Sequence, residues 1–595
     1  MKNKFNSKHN HKNANLNNSK MKGYDFMKKT NKFAAFALAA CMMAPMTMAT
    51  TASFTTSATN VTISSSSDQA THTYTAYKIF DGTYSTNGLT VTGWATGFKS
   101  TELLADTDFT GIVTDSTTTP PTTIGSVIGS NTDAAAVAQA IEKIGDKSSE
   151  ADKLASVLAK YVGTSGTELS GTAVNLPAGY YIVKDVMGTD NTHDAVSKFI
   201  LEVSGGDTDI NIVTKKSYPT VQKKVYENVK KANDDFADHE TDKKWNDVAD
   251  YNIGDAVPFK LYGTMPDTLD DYEHYYYQFS DSLGSQFEVP KNIMVYIDGK
   301  EITPASGVCE VSTAVALEDG SRGPELMVKF NDIKSIDIDK DTAGIQSITK
   351  DSIVTIEYTA VLKSNAEIGL PGQENKVKLE YSNNPNATGD GTTKPDDTGE
   401  TPEDKVIVFT YELDVTKVDK ATNAKLAGAK FTLQNSDGKY AKISSTSQIV
   451  LAWVDEPETD PSGTTTLVSD TDGLFKVIGL DDGVYTLTET EAPGSYNKLT
   501  NAVEVVIKAE TANNQTWNSS PADALTELKV TADGNAGTGN VDTGIASINI
   551  ANSKGSTLPS TGGIGTTIFY VLGGTLVVGS GIALVTKKRL GKNED

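Results

Sequence analysis

The chain has 595 residues, 53 basic and 77 acidic side chains, a net charge of −24 and a pI near 4.7. That charge disfavours nucleic acid and anionic lipid as partners, and the length exceeds what one core can bury, so three or four domains are expected. Thr, Ser, Asp, Val and Gly are abundant, which suits exposed β-sheet with polar turns; no Cys/His metal spacing appears, and no cofactor or metal is expected.

Residues 1–57 read as an extension followed by a secretion signal. Met1 to Lys32 is basic and Asn-rich. Met27-Lys28-Lys29 then precedes the apolar run Phe33 to Ala40, a charged region followed by a hydrophobic one, with cleavage expected between Ala49 and Ala58. Starts at Met1 and at Met27 both fit this pattern. Leu38-Ala39-Ala40-Cys41 also resembles a lipoprotein cleavage box, but the carboxyl end already supplies an anchor. With the signal removed, Cys309 is the sole cysteine, so no internal disulfide can form.

A first module is expected over 58–213. It opens with a strand and turn at Thr73 to Gly82, reads as helical over 132–162 through Ala134, Val137, Ile141, Ile144, Leu154, Val157 and Leu158, and closes on strands near Tyr180 and Lys198 to Val203. A second module is expected over 214–386, with strands at Tyr251 to Tyr262 and Ile353 to Val361. Residues 387–404 are rich in Gly, Pro, Asp and Thr without periodicity, and read as a linker or a surface excursion. A third module follows over 405–553. The fold class expected is all-β, with sandwiches carrying inserted helices in tandem.

Alternation within the strands places several polar residues on apolar faces. Val221, Lys223 and Val225 share one face, as do Leu413, Val415 and Lys417, so both modules direct a lysine inward on their first strand. At the module ends the inward sets are Val377, Leu379, Tyr381 and Asn383, and Ile548, Ile550 and Asn552. A buried ammonium is costly, so either the lysines snorkel to water at a sheet edge or their charge is removed. A neutral lysine amine, however, can attack an asparagine carboxamide, release ammonia and leave an amide, provided a protonated carboxyl group polarises the carboxamide. Glu489 shares the inward face of Tyr485 and Leu487. In the second module Asp281 follows Tyr277 and Phe279 with period two, and Asp255 shares a face with Ile253 and Val257; Asp281 is preferred.

Residues 554–595 form a terminal signal. Ile564 to Val585 is uncharged and apolar apart from Thr and Ser, long enough as a helix to span a bilayer, and Lys587, Lys588 and Arg589 follow. Just before it, Leu558-Pro559-Ser560-Thr561-Gly562 resembles the sorting signal read by sortases, the transpeptidases of Gram-positive cell surfaces.

From signal to tail the chain resembles the sortase-assembled major pilins, the shaft subunits of Gram-positive pili. The segment Leu487 to Tyr496 is similar to that family's acidic-residue box, which modular adhesins with collagen-binding-protein-type B repeats also carry. The resemblance implies immunoglobulin-like sandwiches of the collagen-binding-protein A/B type. It implies internal isopeptide bonds Lys223–Asn383 and Lys417–Asn552, with Asp281 (or Asp255) and Glu489 as catalytic acids; the first module shows no such triad. It also implies a nucleophilic lysine near the end of the first module. The matching stretch is Val213 to Pro219, where Lys215 stands in place of the family's proline, so Lys216 matches better by position and Lys215 is the alternative. A pilin-specific sortase would join Thr561 of one copy to Lys216 of the next. The implied partners are that sortase, further copies of the chain, tip and basal pilins, peptidoglycan and host surface ligands. The implied location is a pilus fibre attached to the wall, after a membrane-bound precursor stage. A single-copy anchored adhesin, binding through the first module, shares every feature except the linking lysine. No nucleophile–base or paired-carboxylate constellation points to an enzyme; the chain reads as a substrate of sortase.

Overall fold

The structure is a computed structural model describing residues 58–65, 72–85, 88–145, 148–188, 194–205, 209–214, 217–228, 245–315, 322–338, 348–511, 517, 520–555 and 564–590. The chain forms three β-rich modules in sequence and a terminal helix.

In the first module the strand Thr59–Ser65 lies between Ile210–Thr214, to which it is parallel, and Val174–Leu176. A second sheet runs Gly88–Trp94, His72–Ser85, Gly179–Met187, Ile200–Ser204. The turn expected at Gly82 is instead a bulge inside one long strand, with a register shift between Asp81 and Gly82. A Cβ on Gly82 would come within 2.6 Å of the Thr90 carbonyl oxygen, so the bulge requires glycine there. The expected helical region resolves into Ala134–Ile141 and Ser149–Lys160, the second capped by the Ser148 hydroxyl accepting from the Ala151 N–H. Val137, Leu154, Val157 and Leu158 are buried in the module's core.

The middle module is a sandwich. One sheet runs Trp245–Asn246, Val221–Tyr226, Ala256–Thr264, Ile353–Val361, Lys291–Ile297, Lys300–Glu301. The other runs Val248–Asp250, Asp404–Phe409, Gln373–Ser382, Tyr277–Leu283, Glu325–Phe330, Glu310–Ala314. Alternating residues of the two inner faces, among them Phe259, Leu261, Ile356, Phe279, Val377 and Leu379, interdigitate as the core. The boundary drawn from sequence needs correction. Within 387–404, Thr398–Glu400 pairs with Gln373–Ser382, and Asp404–Phe409 pairs with that same strand, so the middle sandwich runs on through Phe409.

The C-terminal module begins at the strand Tyr411–Asp419. It pairs in parallel with the last strand, Ile545–Asn552, and antiparallel with Leu474–Leu480. A larger sheet, including Lys430–Gln434, Gly483–Glu491, Val503–Thr511 and Leu525–Ala532, closes the sandwich. The middle and C-terminal modules meet through backbone contacts. The Ile253 N–H donates to the Gly479 carbonyl at 3.0 Å, and the Asp481 N–H donates to Asn252 Oδ1 at 3.0 Å. Gly369 and Gly544 touch, both with positive φ; a Cβ on either would fall 2.3 Å from the other's backbone nitrogen.

The last helix, Ile564–Leu590, contains the stretch Ile568–Lys588 with a mean hydropathy of 2.1, long and apolar enough to cross a membrane. Its large apolar side chains, Phe569, Leu572, Leu576 and Ile582 among them, are exposed, as a lipid-facing surface requires.

Candidate functional site

Lys417 lies on the strand Tyr411–Asp419, where the parallel register sets Lys417 against Ile550 and Asp419 against Asn552. Leu413 and Val415, on its face, are fully buried, and Lys417 is buried with them at 0% exposure. Its Nζ contacts Asn552 Oδ1 and lies 3.3 Å from Glu489 Oε1. Asn552 Nδ2 donates to both Glu489 oxygens, at 2.9 and 3.1 Å. Glu489 Oε2 also accepts the Leu499 N–H at 2.7 Å, which fixes the carboxyl plane. Phe431 walls the site, its ring centroid 5.4 Å from Lys417 Nζ. Burial pushes the Lys417 amine below its usual range and Glu489 partly offsets this.

Lys223 lies on Val221–Tyr226, between the buried Val221 and Val225, and is itself at 0% exposure. Its Nζ is 2.5 Å from Asp281 Oδ2 and 3.0 Å from the Tyr358 hydroxyl. Asp281 comes from the opposite sheet, on Tyr277–Leu283; Tyr358 comes from Ile353–Val361, in the lysine's own sheet. Tyr358 donates to Asp281 Oδ2 at 2.9 Å and accepts from Asn375 Nδ2 at 2.7 Å. Burial drives the Lys223 amine down to about 8, against the pull of Asp281, and pushes the Asp281 carboxyl up. Asp404 Oδ2 accepts the Lys223 backbone N–H at 2.6 Å and holds the strand in place.

Asn383 is not at this cluster. It lies eight residues beyond Asn375, about 26 Å along an extended chain, past the end of the strand Gln373–Ser382. Its carbonyl instead accepts the Val196 N–H at 2.8 Å, tying the first module to the middle one. The carboxamide beside Lys223 is Asn375, which shares the inward face of Val377 and Leu379 and is fully buried. Asp255 is also elsewhere: it is half-buried and accepts from Asn252 Nδ2 at 2.9 Å. Asn375, Tyr358 and Asp404 were missed from sequence. Only Asn375 carried a signal, its period-two relation to Val377. Lys215, Lys216 and Leu558 to Gly562 lie outside the described residues.

Residues 550–589 match the family model of the LPXTG cell wall anchor motif. The chain is an LPXTG-anchored cell-wall protein. Residues 411–521 match a prealbumin-like fold domain, covering most of the C-terminal sandwich that holds Lys417 and Glu489. The protein is 26% identical over 285 residues to the trypsin-resistant surface T6 protein of Streptococcus pyogenes serotype M6; the match covers 39% of this chain and spans 48% of that protein's length, about half. Among solved structures it is similar to the T6 backbone pilin of serotype M6 S. pyogenes, at 16% identity and a TM-score of 0.47, covering 84% of this chain and 98% of that one. It is likewise similar to the major pilin SpaD of Corynebacterium diphtheriae, at 15% identity and a TM-score of 0.41, with 84% and 98% coverage.

Proposed function

We propose that this anchored protein is the shaft subunit of a covalent surface pilus, and that its middle and C-terminal modules are each locked by an internal lysine–asparagine amide. The observation that carries the reading is the pair of buried lysine–carboxyl–carboxamide clusters in successive sandwiches of a chain with a sorting signal. An unreacted ammonium in either place would be expensive to keep. The same burial that raises this cost favours the neutral amine at both lysines and the protonated carboxyl at Asp281. In the C-terminal module the Lys417 amine attacks the Asn552 carboxamide carbon. Glu489 takes the proton shed by the amine and returns one to the departing nitrogen, so a C–N bond forms, another breaks and ammonia leaves. In the middle module Lys223 reacts with Asn375, with Asp281 as the acid. Each reaction occurs once, so the chain is a structural protein rather than a turnover enzyme.

Assembly uses the protein as a substrate. A sortase thiolate attacks the Thr561 carbonyl and releases Gly562 with the membrane helix. The Lys216 amine of another copy then resolves the acyl-enzyme as a Thr561–Lys216 amide. The last subunit's Thr561 passes to a peptidoglycan amine. Tip and basal pilins and host ligands are further partners of such a fibre.

Digestion of wall-extracted protein with peptide sequencing by mass spectrometry tests the assembly step. A branched peptide joining Thr561 to the Lys216 side chain is expected. Recovery of Thr561 only on peptidoglycan fragments would instead make the protein a single-copy anchored adhesin.

A further inference from the structure

In the C-terminal module a single carboxyl group touches both reacting partners: Glu489 Oε1 is 3.3 Å from Lys417 Nζ and 2.9 Å from Asn552 Nδ2. The middle module is wired differently. Asp281 reaches Lys223 directly, but a phenol stands between it and the carboxamide. The Tyr358 oxygen is 3.0 Å from Lys223 Nζ, 2.9 Å from Asp281 Oδ2 and 2.7 Å from Asn375 Nδ2. Among the described residues, Asp281 Oδ1 and Asn375 Oδ1 are buried without a hydrogen-bond partner, so the hydroxyl is the link between acid and carboxamide. Tyr358 is 2% exposed and is fixed by stacking on Phe259 at 5.3 Å between ring centroids.

We infer that Tyr358 is a catalytic residue of the middle cross-link, holding the Asn375 carboxamide toward Lys223 and relaying a proton from Asp281 to the departing nitrogen. The inference rests on the Lys223–Asn375 reaction proposed above. Before reaction Asn375 Nδ2 donates to the phenol oxygen, and the phenol donates to Asp281. When the Lys223 amine adds to the carboxamide carbon, Nδ2 becomes tetrahedral and gains a lone pair facing the hydroxyl. The hydrogen bond then reverses. Tyr358 gives its proton to Nδ2 and takes one from Asp281, while Asp281 takes the proton that the attacking amine sheds. The bond from carbon to Nδ2 breaks, ammonia leaves, and the phenol and carboxyl end as they began. Burial pushes the Tyr358 hydroxyl well above its usual range, so it serves as a proton carrier rather than a standing phenolate.

The test uses the full chain made by brief cell-free synthesis in detergent, chased over time and digested, with the two cross-linked peptides quantified separately. The C-terminal bond, which has no phenol in its relay, is the internal control. In the wild type both peptides are expected to accumulate. In Tyr358→Phe the middle peptide should form about a hundredfold or more slowly, the ordinary size of a positioned proton donor's effect, with the C-terminal one unchanged. A ratio of middle to C-terminal rates in Tyr358→Phe equal to that of the wild type would overturn the relay alone. Absence of the middle peptide in the wild type would overturn the underlying cross-link. Lys223→Ala, which cannot react, is the folding reference. If Tyr358→Phe melts below it, replacement of tyrosine by 3-fluorotyrosine decides. That analogue keeps the hydroxyl and makes it a stronger acid, so the middle bond should form faster relative to the C-terminal one; an unchanged ratio would overturn the relay.

Discussion

Lys223 and Lys417 each exchange water for an aromatic wall and a single carboxyl group. For Lys223 the proton the reaction needs is already inside the pair. Moving it from the ammonium to Asp281 yields the neutral amine and neutral acid without exchange with solvent. With Lys223 held down at about 8, the pair keeps that proton below this pH and loses it above. The rate of middle-bond formation should therefore be level through neutral pH and fall about tenfold per unit above pH 8, because a neutral amine facing a bare carboxylate has no acid to help the nitrogen leave. A pH jump after brief cell-free synthesis, with the cross-linked peptide quantified, checks this; a rate that keeps climbing to pH 10 would mean that amine deprotonation alone is limiting. In the C-terminal module, Glu489→Ala should lose one ammonia fewer, relative to its own sequence mass, than the wild type loses relative to its own, in an intact-mass measurement. Its sandwich should still fold, since the carboxyl moves protons and is not part of the link.

At the scale of elements, the two strands that carry asparagine decide which module is closed and how. Asn375→Ala should abolish the middle bond, so that the variant loses one ammonia fewer relative to its own sequence mass than the wild type does. Asn383→Ala should leave that bond intact, because the side chain lies past the strand's end and its backbone carbonyl, which bonds Val196, is retained. This pair of variants also marks what was legible in the sequence. Alternation showed that Lys223, Lys417 and Asn552 face inward, and the Tyr277–Phe279–Asp281 run put an acid on the inner face of its strand. Alternation gives a face, however, not a position along it: Asn375 and Asn383 have the same parity. Choosing between them needs the register that sets Asn375 opposite Leu283 on one neighbour and Val406 on the other. Tyr358 was hidden for a related reason. A tyrosine among Ile356, Val354 and Ala360 reads as ordinary core, and only the pairing of its strand with Ala256–Thr264 brings it beside Lys223. The strand Asp404–Phe409 was assigned to the wrong module because it directly precedes Tyr411 in the chain, while its hydrogen bonds run back to Gln373–Ser382.

Across the whole molecule the cross-links would join strands distant in sequence, so each closes a loop of more than a hundred residues. The chain-entropy argument used for disulfides then gives about 4–5 kcal/mol per bond. Lys417→Ala should lower the melting temperature of the C-terminal module and open it to trypsin, whereas reducing agent should change neither parent nor variant, because Cys309 is a buried free thiol. Equal digestion of parent and variant would argue against a bond there. Along the fibre axis, tension would pass through backbone and amide bonds, with module joints set by contacts such as Asn383 to Val196 and Gly369 to Gly544. Covalent polymerisation is the step that makes a fibre of the single subunits. It is tested most directly by immunoblotting wall extract boiled in SDS from cells carrying the wild type, Lys216→Ala or Lys215→Ala. A high-mass ladder is expected for the wild type and Lys215→Ala, and wall-bound monomer alone for Lys216→Ala. A single monomer band from the wild type, or a ladder that survives loss of both lysines, would contradict it.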